Sequence, residues 1–514
     1  MRRRDFLHTA SGLGACLVLG SPGTFRAGVA TPVPKLTFCG ATRQVSGSCH
    51  LIETSKGLFL VDCGRFFRES GVADPQKENV AQFPFDPKEI KAVFLTHAHT
   101  DHNGRLPLLY ERGFRGPIYC TDCTRDLTQV MLSMDFNAAE KSELDSPFYR
   151  KDSIEAVRWL TEAIPYNTKL QKHGLTFRYT DAGHILGSAM VELWADGHKL
   201  LFSGDIGNDN APIVCKPTQH FVADVIVVES TYGGRPRDSV SFESFGQRVN
   251  AVLTGGGSVL LPANALHKTQ ILVYLINRLK QQGILDPKVP VYADSPSAQK
   301  ITKIYHQYTE YYDPDATRFG DLFYQDHYFE PKGWESLASH GKEPAIYLCS
   351  SGNLDHAAAP RRFLEVAEDP KNAIFFVGYQ NPGSLGRKVC DSATGKNGED
   401  RVVMVPIEEP GQARREVQAN VRLAVERAQG FSSHATGQQI LEWFSRFRSA
   451  GDVYVVHGEP KPALSLVESL TKMGLNARAP LRLEQFAVTQ NPQKPDQAPQ
   501  LQAEKADEPA PVDK

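Results

Sequence analysis

The chain has 514 residues, 41% of them hydrophobic and 23% charged. These values lie close to the globular averages of ~45–50% and ~25%, so the chain can bury two or three domain cores, and a disulfide-held miniprotein or a disordered chain is excluded. Lys+Arg 57 against Asp+Glu 59 gives a formal net charge of −2, which excludes whole-molecule attraction to nucleic acid and leaves any such contact to a local basic lining.

The N-terminus reads Arg2-Arg3-Arg4-Asp5-Phe6-Leu7, then a weakly apolar run from Ser11 to Gly20, then small residues at Ala27-Gly28-Val29-Ala30. That order resembles a twin-arginine export signal over residues 1–30 and implies an exported, periplasmic protein. Leu13-Gly14-Ala15-Cys16 also has the look of a lipoprotein cleavage box, but the apolar run continues through Leu17-Val18-Leu19, which argues against cutting there. A membrane span needs ~20 apolar residues, and no such run occurs, so no transmembrane segment is expected. Of nine cysteines, Cys16 would leave with the signal and eight would meet an oxidising compartment, with a pairing that sequence does not give. Cys120 and Cys123 lack a second CxxC and read as coincidental packing.

From residue 31 the predicted elements begin with an antiparallel meander, Leu36 to Phe38, Cys49 to Glu53 and Leu58 to Asp62, separated by glycine-containing turns. Further strands are expected at Ile90 to Thr96, Pro117 to Cys120, Leu175 to Tyr179, Ala189 to Trp194, Leu200 to Phe202 and Val225 to Glu229, with helices between several of them, one near Gly104. This is an α/β pattern with mixed sheets. After Arg235 the texture changes to alternating helix and strand: Phe242 to Leu253, Ser258 to Leu261, Lys268 to Gln281, Val289 to Tyr292, Ile346 to Leu348 and Ile374 to Val377. Parallel strands with crossover helices are expected there, as a domain of its own over 236–427. The first texture returns over 428–489, with a helix at Gln438 to Phe447 and a strand at Val453 to Val456, and the Pro-, Gln- and Glu-rich tail 490–514 is expected to be disordered.

The strongest chemical signal is His97-Ala98-His99-Thr100-Asp101-His102, where a predicted strand ends. Alternation puts His97 and His99 on one side, and the turn presents Asp101 and His102 from another direction. Imidazole and carboxylate donors suit zinc or a similar divalent ion, and two ions can share a bridging carboxylate. Other strand-end loops offer further ligands: His184 in Ala182-Gly183-His184-Ile185-Leu186-Gly187-Ser188, Asp205 in Ser203-Gly204-Asp205-Ile206-Gly207, and His457 before Gly458-Glu459.

These motifs together resemble the metallo-β-lactamase fold. More narrowly, Glu229-Ser230-Thr231-Tyr232-Gly233, Gly430-Phe431-Ser432-Ser433-His434-Ala435 and His457-Gly458-Glu459 resemble the β-CASP branch of nucleases, typified by the endonuclease of pre-mRNA 3'-end processing, over roughly Leu36 to Arg482. The resemblance implies an αββα sandwich, split into 31–235 and 428–489, with an inserted α/β β-CASP domain. It implies two Zn2+ ions, with Mn2+ or another divalent metal as the alternative: His97, His99 and His184 on one, Asp101, His102 and His457 on the other, Asp205 between them. Asp62 would orient ligands, and Glu229 would hold His434 near the leaving group as a proton donor. The activity implied is phosphodiester hydrolysis, and His457 favours RNA-processing members, so single-stranded RNA is the expected substrate. Lys268 and Arg387 are candidate phosphate contacts in the inserted domain.

The chain departs from the family pattern in Asn264, His267 and Lys268, where relatives usually carry Phe, Gly and Arg, in Ser350-Ser351-Gly352-Asn353, and in Arg237 where a His is common. Two other functions stay open at this level: a small-molecule metallohydrolase (lactonase, thioesterase or β-lactamase-like) and a binding protein without turnover. The oligomeric state, a homodimer included, is also open.

Overall fold

The computed structural model describes residues 33–488 apart from 68–71, 142–146, 235–240, 318–327, 330–342, 394–400 and 408–413. The expected export signal and the polar tail therefore lie outside the described residues.

Two seven-stranded sheets carry the two ends of the described residues. The first contains β1 (Lys35–Phe38), β2 (His50–Thr54), β3 (Gly57–Val61), β4 (Ile90–Phe94), β5 (Ile118–Cys120) and β6 (Thr161–Ala163), with β22 (Gln485–Ala487) returning to pair with β1. Its β1–β3 meander is antiparallel, and β3 to β6 run parallel. The second holds β7 (Leu170–Lys172), β8 (Leu175–Asp181), β9 (Ala189–Ala195), β10 (His198–Phe202), β11 (Val222–Glu229), β20 (Ser449–Val456) and β21 (Asn476–Arg478).

Local pattern explains why these segments pair as they do. In β8 the residues Leu175, Phe177 and Tyr179 are buried while Thr176 and Arg178 between them are partly exposed, the period of two that a half-covered antiparallel strand requires. In β11 the run Ala223 to Glu229 is buried throughout, as a central parallel strand covered on both faces must be. The sheets face each other across one core, in which Phe38, Phe59 and Phe94 of the first meet Phe177, Phe202 and Tyr454 of the second. Each fully buried Phe or Leu there contributes roughly 1.5–3 kcal/mol. Helices cover both outer faces: Leu132, Phe136, Ile154 and Val157 pack on the first sheet, and Ile440, Trp443, Leu466 and Leu470 on the second. The architecture is therefore an αββα sandwich.

Between β11 and β20 the chain builds a third sheet in the order β14-β13-β15-β12-β16-β19, from β12 (Val259–Pro262), β13 (Val291–Asp294), β14 (Tyr328–Phe329), β15 (Ile346–Cys349), β16 (Ala373–Phe376) and β19 (Ala424–Arg427). All its pairings are parallel, as the helix and strand alternation predicts. A hairpin of β17 (Val402–Ile407) and β18 (Arg415–Asn420) adjoins it; the sequence of β18, Arg-Glu-Val-Gln-Ala-Asn, has too little apolar alternation to announce a strand. The insertion shares a core with the sandwich, since Leu272, Ile276 and Tyr305 cluster with Ala98, Leu127, Ile185 and Leu186.

Two expectations are adjusted. The strand read to Thr96 ends at Phe94, because the Thr96 N–H leaves the ladder and donates to Asp62 Oδ1 at 2.9 Å. The helix expected near Gly104 is two short helices, Thr100–Asn103 and Leu106–Glu111, parted where the Arg105 N–H donates to Cys63 O at 2.9 Å. The helix Pro460–Lys472, absent from the sequence reading, starts on a proline at its first turn, where the missing N–H costs nothing.

Candidate metal centre

The centre forms where strands of both sheets end. His97, His99, Asp101 and His102 follow β4, His184 lies in the β8–β9 turn, Asp205 follows β10, and His457 follows β20. Parallel pairing of β10, β11 and β20 sets Phe202 beside Val227 and Glu229 beside Val456, so the next residues emerge on one edge. Close backbone approach does the rest. Gly183 has φ +67, and a Cβ on Gly207 would stand 1.8 Å from Gly183 O; the Gly207 N–H donates to Ala182 O at 2.7 Å. Glycine at these two positions lets the His184 and Asp205 loops touch.

The side chains form two groups. His97 Nε2 lies 3.1 Å from His99 Nδ1, His184 Nε2 3.2 Å from the same atom, and Asp205 Oδ2 3.5 Å from both His97 Nε2 and His184 Nε2. In the second, His457 Nε2 stands 3.2 Å from His102 Nε2 and 3.3 Å from Asp101 Oδ2. Asp205 turns its other oxygen, Oδ1, to His102 Nε2 and His457 Nδ1, 3.4 Å from each. A tetrahedral zinc ion at its usual bond lengths holds donors ~3.3–3.4 Å apart, and the observed separations match that spacing. Asp205 Oδ1 is buried and has no hydrogen-bond partner among the described residues, a costly state for a carboxylate unless a cation faces it. The residues present therefore fit divalent metal.

The protonation states differ between the two groups: burial lowers His102 and His457, but the Asp205 carboxylate, joined by Asp62 at the one and Asp101 at the other, outweighs it and raises both imidazoles, His102 well above the ordinary range. Burial, followed by neighbouring imidazoles, pushes His97 and His184 well below the ordinary range, and burial brings His99 to about 4. Neutral imidazole is the form that binds metal. Burial would raise the Asp205 carboxyl, but His457, His102 and His97 outweigh it and hold it well below the usual range.

Asp62, at φ +61 and 1% exposed, is hydrogen-bonded behind both groups. Its Oδ2 lies 2.6 Å from His102 Nδ1 and accepts the Ser48 hydroxyl at 3.0 Å, while Oδ1 accepts Thr96 N–H at 2.9 Å and Thr96 Oγ1 at 3.0 Å. Thr96 also meets His97 Nδ1 at 3.1 Å, and Thr231 Oγ1 meets His457 Nδ1 at 3.3 Å. Ser48, Thr96 and Thr231 escaped the sequence reading; the hydroxyl directly before His97 was the one local signal for any of them.

Glu229 and His434 form a pair beside the first group. His434 Nδ1 is 2.9 Å from Glu229 Oε1, and its ring lies 4.4 Å from that of His184. Glu229 is fully buried and accepts Ile206 N–H at 2.9 Å and Thr231 N–H at 3.0 Å. The His434 loop is laced to the Asp205 loop by Asn208 N–H to Ser433 O at 2.9 Å and Ala435 N–H to Ile206 O at 2.7 Å. A capping box between Thr436 and Gln439 then starts the next helix. Burial lowers His434, but the Glu229 and Asp205 carboxylates outweigh it and raise the imidazole to about 9.

Neither of the two proposed phosphate contacts belongs to a candidate ligand group. Lys268, at the start of the helix Lys268–Gln281, donates from Nζ to Phe431 O, three residues before His434. Arg387, on the helix Leu385–Ala393, places Nε 2.9 Å from both oxygens of Asp391.

Three family models match the chain in succession: the metallo-beta-lactamase superfamily over residues 42–225, the Beta-Casp domain over 269–389, and the Zn-dependent metallo-hydrolase RNA specificity domain over 418–480. The chain is 31% identical over 449 residues to Ribonuclease TTHA0252 of Thermus thermophilus, covering 85% of this chain and 95% of that protein. It belongs to the β-CASP family of the metallo-β-lactamase superfamily. Further relatives carry the name transcription termination factor FttA: that of Pyrococcus abyssi is 31% identical over 478 residues (88% of this chain, 70% of the relative), and that of Methanothermobacter thermautotrophicus 30% over 482 residues (88% and 72%). A crystal structure of a protein of unknown function from Enterococcus faecalis V583 shares the fold, with a TM-score of 0.54 at 13% identity, over 88% of this chain and all of that one. This β-CASP chain is thus a metal-dependent hydrolase, and its His and Asp clusters could hold a metal ion. No helix among the described residues is long and apolar enough to cross a membrane.

Proposed function

We propose that this chain is a ribonuclease that hydrolyses phosphodiester bonds of single-stranded RNA with two zinc ions, one held by His97, His99 and His184, the other by Asp101, His102 and His457, with Asp205 shared. The observation that carries the reading is the sharing itself. One buried carboxylate turns each oxygen to a separate ligand group, with a carboxylate-held imidazole next to both. The names of the relatives and the RNA specificity domain match support RNA as the substrate class.

What divalent ions supply at such a site is a lowered pKa for water and positive charge beside the phosphoryl oxygens. The chain's own residues do the remainder. Asp62 and Thr96 fix the orientation of His102 and His97 by their hydrogen bonds. Glu229 takes the Nδ1–H of His434, so Nε2 is the atom that exchanges the catalytic proton with the departing oxygen. The two backbone N–H bonds to Glu229 keep its carboxylate in place as that proton leaves.

A panel of labelled single-stranded RNA, single-stranded DNA, an aryl phosphodiester and a lactam tests the proposal. RNA cleavage that requires added Zn2+ is expected; cleavage of the lactam with RNA left intact would overturn it. Export through the twin-arginine pathway to the periplasm is part of the same proposal, supported by Arg2-Arg3-Arg4-Asp5-Phe6-Leu7 and the small residues near Ala30. Cell fractionation tests it: an Arg3→Lys, Arg4→Lys double variant should stay in the cytoplasm, and unchanged fractionation refutes it.

A further inference from the structure

The eight described cysteines are thiols, and four of them share the core outside the first sheet: Cys39, Cys49, Cys63 and Cys120 are 5%, 3%, 0% and 0% exposed. Cys39 follows β1 and Cys49 precedes β2, one step beyond the Phe38–His50 pair of the antiparallel ladder. They therefore face one another. The Cys39 N–H donates to Cys49 O at 2.9 Å, and the Cys39 thiol donates to Thr37 O at 3.8 Å. Opposed residues of an antiparallel pair have Cα atoms about 4.5–5.5 Å apart with side chains on one face, inside the ~4.4–6.8 Å that a disulfide spans. Cys63 lies in the same core, but it is out of register with Cys49. Continuing the β2–β3 ladder sets Cys49 against Asp62, where the positive φ of Asp62 turns the chain.

The loop between Cys39 and Cys49 holds the backbone of the metal centre. Ala41 O accepts the His457 N–H at 2.7 Å, and the Ser48 N–H donates to Asp101 O at 2.8 Å. Ser48 Oγ donates to Asp62 Oδ2 at 3.0 Å. One short loop thus touches two proposed ligands and the residue that orients a third.

We propose that Cys39 and Cys49 are a dithiol–disulfide pair whose oxidised form closes this loop covalently behind the metal centre. With a small-molecule disulfide such as oxidised glutathione as oxidant, the Cys49 thiolate attacks one sulfur and forms a mixed disulfide, releasing one glutathione thiolate. The Cys39 thiolate then attacks Cys49 Sγ, forming the internal S–S bond and releasing the second. The two cysteines lose two electrons and two protons, and the glutathione disulfide takes both to become two thiols. Because both sulfurs are shielded once folded, the exchange belongs to the stage at which β1 and β2 meet.

The full chain, refolded with Zn2+ in a mixture of reduced and oxidised glutathione, is alkylated under denaturing conditions, digested and mapped without reductant. The expected map shows Cys39 joined to Cys49 and Cys63 alkylated. The oxidised form should melt about 3 °C above the reduced one and lose Zn2+ to a chelator about tenfold more slowly. Cys63→Ser should keep the link and both effects, and Cys39→Ser should lose them. A Cys49–Cys63 link, full alkylation of Cys39 and Cys49 at the oxidising end of the series, or an unchanged melting temperature with the link present would each overturn the proposal.

Discussion

Replacing His434 by Ala separates the proton-transfer role from the metal centre. The imidazole belongs to neither ligand group, so metal content should be unchanged. The fold should also survive, because Glu229 keeps the Ile206 and Thr231 N–H bonds at 2.9 and 3.0 Å and loses one partner, a cost of about 1–3 kcal/mol. A positioned proton donor contributes ~10²–10⁴ in rate, which corresponds to ~2.7–5.4 kcal/mol of barrier. Single-turnover cleavage of labelled RNA at saturating Zn2+, with metal per chain measured on the same samples, should show a loss of that size. An aryl phosphodiester, whose phenolate departs without a proton, should lose far less. An RNA rate unchanged with metal intact, or equal losses on both substrates, would refute the assignment of His434 as the donor.

Three further outcomes are expected. Asp62→Asn leaves His102 Nδ1 without the carboxylate now 2.6 Å away and should weaken Zn2+ binding ~10–100-fold, read by chelator competition. Stripping metal with EDTA should lower stability, because cations that bind the folded state at ~1,000 times their Kd add about 4 kcal/mol; a melting temperature indifferent to Zn2+ contradicts the centre. Glu192, fully buried on β9, is paired with Arg178, with Lys199 Nζ at 2.5 Å and with His220 Nδ1 at 3.2 Å. Burial would raise its carboxyl, but the His220 and Arg178 hydrogen bonds and Lys199 hold it well below the usual range. Its stabilisation is therefore present above the unfolded pKa of ~4.3 and is lost as pH falls toward the folded value. Glu192→Gln should cost about 3–5 kcal/mol at neutral pH, with the gap from wild type narrowing in denaturant titrations below pH ~4.

What the sequence by itself determined lies in short-range pattern. The alternation of Leu175, Phe177 and Tyr179 marks a half-covered strand, the continuous apolar run before Glu229 marks a central one, and three histidines in the six residues 97–102 announce a metal loop, because each signal is complete within a few residues. Where the pattern is weak, as in the polar strand Arg415–Asn420, or where a hydrogen bond overrides it, as at Thr96, the reading lost the element or its end.

Only the tertiary structure decided which strand ends share an edge. His457 follows Asp101 by 356 residues and His434 follows Glu229 by 205, and no local period carries such separations. The parallel registers of β10, β11 and β20 bring these residues within reach of one another, and burial then strips their polar atoms of water. Ladder pairing is set by the whole core rather than by any one segment, and for that reason the ligands could be named from resemblance while their convergence on Asp205 had to be seen.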